Sequence, residues 1–214
     1  MVELSILIAT VPSLRPGLLS RLLVALEPQL DDPAVEVIIH TSEVKPMGTK
    51  FDELYQSANG RLSVQIDDDD LVSDEYVREV LAVSLGHDFV GYKVDFTANG
   101  RPIPPTVYEI DPLRTRIVRH FAVDDRIRPM SPKCPLLTAQ ARRFPFGNYR
   151  GSDYEWIYHL VMDGFPFNPV FIDKSLYWYD CWPLASLGTS PGHWTSQREV
   201  PVLSYDRDCF TWIS

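Results

Sequence analysis

Short apolar runs alternate with stripes of helical spacing through the N-terminal part of the chain, which restricts it to very few folds. Leu4-Ser5-Ile6-Leu7-Ile8-Ala9-Thr10 is apolar on both faces and closes at Val11-Pro12-Ser13, as a central buried strand does. Residues 16–27 follow with Leu18, Leu19, Leu22, Leu23 and Leu26 on one stripe and Arg21 and Glu27 off it. Val35-Glu36-Val37-Ile38-Ile39 is a second strand. Residues 49–58 form a second helix, with Phe51, Leu54, Tyr55 and Ala58 on one side and Asn59-Gly60 ending it. Leu62, Val64 and Ile66 alternate with polar residues and run straight into Asp67-Asp68-Asp69-Asp70. Ser73-Asp74-Glu75 then opens a third helix with an N-cap and two acids. This order predicts an α/β fold whose mostly parallel sheet has right-handed crossovers and flanking helices. One more strand is expected from Asp88 to Thr97, closed by Asn99-Gly100.

The second half differs in character. Thirteen of the 18 prolines lie in residues 101–214, so short elements and long loops are expected there. One helix stands out, where Ser152-x-x-Glu155 forms a capping box ahead of Trp156, Ile157, Leu160 and Val161. The proline shift marks a loop-built site on one domain of 214 residues, with 1–100 as scaffold and 101–214 as the loop-rich half. Three cysteines without Cys-x-x-Cys spacing argue against a disulfide framework or Cys-based zinc site and suit a reducing cytosol. The start Met1-Val2-Glu3 lacks a basic secretory region, and no apolar run approaches the ~18 residues of a membrane span.

Net charge is −9, unevenly spread: −10 over residues 1–100, +6 over 101–150 and −5 over 151–214. The sum excludes bulk electrostatic coating of nucleic acid. The basic middle segment (Arg114, Arg116, Arg119, Arg126, Arg128, Lys133, Arg142, Arg143 and Arg150) can still hold a phosphate-rich ligand.

The four adjacent aspartates are the main chemical signal. Their carboxylates repel one another, and clustered oxygens are the hard ligands a divalent cation takes. Ligands also bind at the C-terminal edge of such sheets. An EF-hand loop counted from Asp67 would need Gly and Glu where Val72 and Arg78 stand. An aspartyl phosphatase would carry its Asp-x-Asp-x-Thr after the first strand, and here the fifth residue is Leu71 after the third. A nucleotide-sugar site remains, with a plain solvated turn as the bland alternative.

Three stretches carry a family resemblance: Met47-Gly48-Thr49-Lys50-Phe51, Ala58-Asn59-Gly60 and Val64-Gln65-Ile66-Asp67-Asp68-Asp69-Asp70. They resemble the donor segment of family 2 glycosyltransferases with the GT-A fold. The resemblance implies that Asp67 contacts the donor ribose with Asp68 in the same donor site, and that Asp69 and Asp70 hold Mn²⁺ or Mg²⁺. Thr10, Pro12 and Arg15 would line the nucleotide loop, and Lys50 would contact the nucleotide. The family's later acidic motif resembles Gly151-Ser152-Asp153-Tyr154-Glu155, which makes Asp153 the catalytic base. His193, in Gly192-His193-Trp194, would return to the metal. Arg150, Tyr149, Trp156 and Glu155 are the acceptor-side candidates.

The implied activity is inverting transfer from a UDP-sugar to a hydroxyl. Likeness to small bacteriophage-type glycosyltransferases suggests a hydroxymethylated pyrimidine in DNA as acceptor, with protein or glycan as the alternative. The chain departs from the family after its second strand, where His40-Thr41-Ser42-Glu43 replaces a paired acid. Two other classes stay open: a nucleotidyltransferase, whose Gly-rich loop Ala9-Thr10-Val11-Pro12-Ser13 lacks, and a non-catalytic nucleotide-sugar-binding module.

Overall fold

The computed structural model describes residues 1–14, 16–98, 101–108, 133–149, 152–166, 168–181 and 207–214. The first half follows the expected alternation: β1 (Leu4–Ala9), α1 (Pro16–Leu26), β2 (Val35–His40), α2 (Met47–Ser57) and β3 (Leu62–Gln65), then β4 (Leu71–Val72) and α3 (Tyr76–Ser84). β5 (Phe89–Ala98) and β6 (Arg101–Tyr108) form an antiparallel pair. β7 (Leu136–Leu137), α4 (Thr138–Ala141), α5 (Ser152–Met162), β8 (Pro169–Cys181) and β9 (Thr211–Ile213) complete the described elements.

Strands from both halves join one sheet in the order β4-β8-β5-β7-β3-β1-β2-β9, with β6 alongside β5. β1 pairs in parallel with β2 and β3, as the crossovers through α1 and α2 require. The sheet as a whole is mixed, because β7 runs antiparallel between β3 and β5 and β4 runs antiparallel to β8. Most of the paired residues are nonetheless parallel, because β5 also runs parallel to β8 and β2 to β9, and the two-residue strands entered from loops add antiparallel pairings that need no crossover helix.

The core lies on both faces of β1–β3. β1 is buried along its whole length, and Leu19, Leu22, Leu23 and Leu26 of α1 belong to the same buried cluster. Each fully buried leucine contributes roughly 1.5–3 kcal/mol. On α2, Leu54 and Tyr55 are buried, and Tyr55 stacks on Phe146 and Trp156 at ring separations of 5.8 and 5.5 Å.

Two local expectations are corrected. Gly60 is needed for close approach: a Cβ there would sit 2.5 Å from the Ser5 nitrogen on β1. The N-terminus of α3 is served from outside by Gln29, which accepts from the Val77 amide at 3.0 Å and donates to the Ser73 carbonyl at 3.0 Å. Ser73 instead shapes the preceding turn, its carbonyl accepting from the Tyr76 amide.

Candidate nucleotide-sugar and metal site

β3 ends where its apolar alternation stops, and the chain turns at once through the four aspartates. Asp70 N donates to Asp67 O at 3.1 Å, so the run closes as a tight turn. Asp68 and Asp70 point inward and are buried. Asp68 Oδ2 accepts from the Thr10 hydroxyl at 2.6 Å, and Asp70 Oδ2 accepts from the Tyr177 hydroxyl at 2.5 Å. Arg21, off the leucine stripe of α1, donates to the Asp69 carbonyl at 2.8 Å and fixes the turn from below.

One carboxylate oxygen from each of Asp67, Asp69 and Asp70 lies within 4.8 Å of the other two. Like charges this close repel by roughly 3–4 kcal/mol per pair at an effective dielectric near 20. Burial, then Asp69 and Asp67, push the Asp70 carboxyl well above the usual carboxylate range. Lys133 partly offsets the repulsion through an ion pair with Asp67. Burial alone would lower the Lys133 ammonium, but Asp67, Asp70 and Asp69 together raise it, so it stays charged. Three hard oxygen donors converging at the end of a strand match the chemistry of Mg²⁺ or Mn²⁺.

The neighbouring loop after β1 is built into the same unit. The Lys50 ammonium, carried inward by the first turns of α2, donates to the Thr10 carbonyl at 2.7 Å. Thr10 thus links Lys50 to Asp68, and all three are buried. Lys50 and Asp68 therefore brace the loop and the turn from within. Pro12 sits half-buried in the turn closed by Leu14 N and Val11 O. Glu43, in the segment that departs from the family's paired acid, accepts from the Ser13 amide at 3.0 Å and its hydroxyl at 2.6 Å. An acidic side chain thus reaches the first loop after all.

Among the residues expected at the base and acceptor positions, Asp153 is half-buried in the first turn of α5. Tyr149 and Glu155 are exposed, and Glu155 lies 3.8 Å from His159. Trp156 is corrected to a core residue. It is fully buried against Phe146 at 4.6 Å, and its indole N–H donates to the Phe144 carbonyl at 2.9 Å, leaving no face for an acceptor. Arg15, Arg150, His193 and most of the basic segment lie outside the described residues.

Sequence reasoning missed Tyr177 and Arg21 and did not connect Lys133 to the aspartates. The run Leu176-Tyr177-Trp178-Tyr179 has the look of a strand, but nothing local pairs it with a turn more than a hundred residues away.

No protein-family model matches the sequence, and no curated protein sequence matches it. Solved structures do match the fold. S. aureus TarS 1–349 in complex with UDP aligns with a TM-score of 0.64 at 17% identity, over 85% of this chain and 61% of that one. Its complex with UDP-GlcNAc gives 0.64 at 16% identity, over 92% and 62%. Glucosyl-3-phosphoglycerate synthase from Mycobacterium tuberculosis, with Mn²⁺, UDP and glucosyl-3-phosphoglycerate, gives 0.53 at 15% identity, over 87% and 75%. The chain spans about three-fifths of TarS 1–349. The fold is that of the GT-A glycosyltransferases. Among the described residues no helix is long and apolar enough to cross a membrane.

Proposed function

We propose that this protein is a metal-dependent glycosyltransferase that moves a sugar from a nucleoside diphosphate, UDP, to a hydroxyl acceptor with inversion. The observation that carries the reading is the convergence of Asp67, Asp69 and Asp70 at the end of β3 on a GT-A sheet. Neighbours of the same fold were solved with UDP, with UDP-GlcNAc, and with UDP and Mn²⁺.

Asp69 and Asp70, with Asp67 at the ribose side, would hold Mn²⁺ or Mg²⁺. Such an ion supplies Lewis-acid neutralisation of the departing diphosphate charge. The chain's own residues do the rest. Thr10, Lys50 and Asp68 keep the nucleotide loop and the acidic turn in fixed register. Glu43 and Ser13 shape the loop that would face the base. Asp153, in the first turn of α5, takes the acceptor hydroxyl's proton.

The test is calorimetric titration of UDP with and without Mn²⁺, on wild type and Asp69→Asn. Metal-dependent binding that the substitution abolishes is expected, and Asp153→Asn should keep binding while losing turnover. Absence of UDP binding under every condition would overturn the donor site. Acceptor class follows from the same preparation. A DNA acceptor predicts duplex affinity that falls steeply as salt rises, and a protein or glycan hydroxyl predicts none.

A further inference from the structure

We propose that Lys133 is a built-in counter-cation that competes with the divalent ion for the Asp67–Asp69–Asp70 carboxylates, so metal uptake works against its charge. The inference deepens the donor-site reading and rests on it.

Lys133 reaches the site by strand register. β7 runs antiparallel to β3, with Leu136 opposite Ser63 and Leu137 opposite Leu62. Three residues before Leu136, the chain is therefore level with the end of β3, where the aspartates begin. Its backbone is anchored there, because the Tyr92 hydroxyl donates to the Lys133 carbonyl and Val90 N donates to Pro135 O at 2.9 Å. The side chain is only 14% exposed, and its ammonium pairs with Asp67 Oδ2. Asp67 is itself one of the three converging donors.

An ammonium is a compact point charge on a flexible stem, so it neutralises carboxylates without requiring fixed geometry. Here it occupies an oxygen of Asp67, whose side chain is 35% exposed. A divalent ion bound at the turn would share the Asp67 carboxylate with an ammonium already paired to Oδ2, and the two cations repel. A single lysine thus keeps the acidic turn folded without metal and lowers its affinity for metal.

The experiment is titration of the full chain with Mn²⁺ alone, read by the electron paramagnetic resonance of the free ion. Lys133→Met should bind Mn²⁺ at least about tenfold more tightly than wild type, a conservative reading of a charge opposed at effective dielectric ~20. Lys133→Arg, which keeps the charge, should stay near the wild-type affinity. Adding Asp69→Asn to Lys133→Met should remove the gain. Should Lys133→Met fail to fold, Lys133→Gln carries the same expectation, with circular dichroism confirming its fold. An unchanged or weakened affinity on neutralising Lys133 overturns the competition, as does binding by neither protein. A UDP titration on the same samples separates the two readings. UDP binding with no gain in Mn²⁺ affinity sinks only the role of Lys133. A gain in Mn²⁺ affinity without UDP binding supports the competition and sinks the donor site.

Discussion

Thr10 joins three parts of the molecule through two atoms. Its hydroxyl donates to buried Asp68, and its carbonyl accepts from buried Lys50, so the end of β1, the acidic turn and α2 move as one unit. A hydrogen bond to a buried charged group is worth more than a neutral one, and leaving the acceptor short costs its desolvation. Thr10→Val keeps the shape and removes the hydroxyl. It should lower unfolding free energy by about 1–3 kcal/mol, measured by urea denaturation. The same substitution should weaken UDP binding, because the turn that carries Asp69 loses a brace; unchanged affinity would separate the brace from the site.

Between elements, α2 meets the loop before α5 at close quarters. Thr49 N donates to Asn148 Oδ1 at 3.0 Å, so a side chain from the second half caps a helix of the first. Gly48 permits this approach: a Cβ there would collide with the Gly147 carbonyl and lie 2.7 Å from Asn148 Oδ1. Gly48→Ala should therefore cost about 1–3 kcal/mol by overpacking, despite alanine's better helix propensity. A thermal melt at or above the wild-type value would contradict this close approach. The aromatic stack of Tyr55, Phe146 and Trp156 is the apolar half of the same junction. It fixes where α5, and with it Asp153, stands relative to α2.

Across the whole molecule, the N-terminal edge is clamped by Arg61. Its guanidinium pairs with Glu3 at 2.6 Å and donates to the Ser84 and His87 carbonyls at 2.6 and 2.7 Å, tying β1, β3 and α3 together. Burial alone would raise the Glu3 carboxyl, but the hydrogen bonds from Arg61 and Ser84 and the Arg61 charge hold it below its ordinary value. A depressed carboxylate contributes stability above its unfolded pKa and loses it as pH falls through the folded one. Glu3→Gln should cost about 0.5–1 kcal/mol at pH 7, the size of a partly exposed pair. The melting-temperature gap from wild type should close as pH falls through the depressed folded pKa of Glu3, below which both side chains are neutral. A gap that persists there would assign the effect to packing.

The alternation of strands and helices in the first half was legible because each element obeys a local period. The leucine stripe of α1 and the uniform burial of β1 follow from side-chain spacing alone. The acidic turn was legible too, because four adjacent carboxylates at a strand end admit few chemical uses. Partnerships made by tertiary packing were not. Tyr177 on Asp70, Arg21 on Asp69, Lys133 on Asp67 and Gln29 on α3 join positions 48 to 107 residues apart, and no local pattern selects such pairs. Trp156 shows the same limit from the other side. Its spacing fits both a core stripe and an acceptor face, and only the packing of Tyr55 and Phe146 against it decided for the core. The sequence by itself determined which residues could carry charge and metal chemistry and where the strands would deliver them. Tertiary structure alone decided which carboxylates turn inward and which cation stands beside them, because those choices depend on the order in which strands come together.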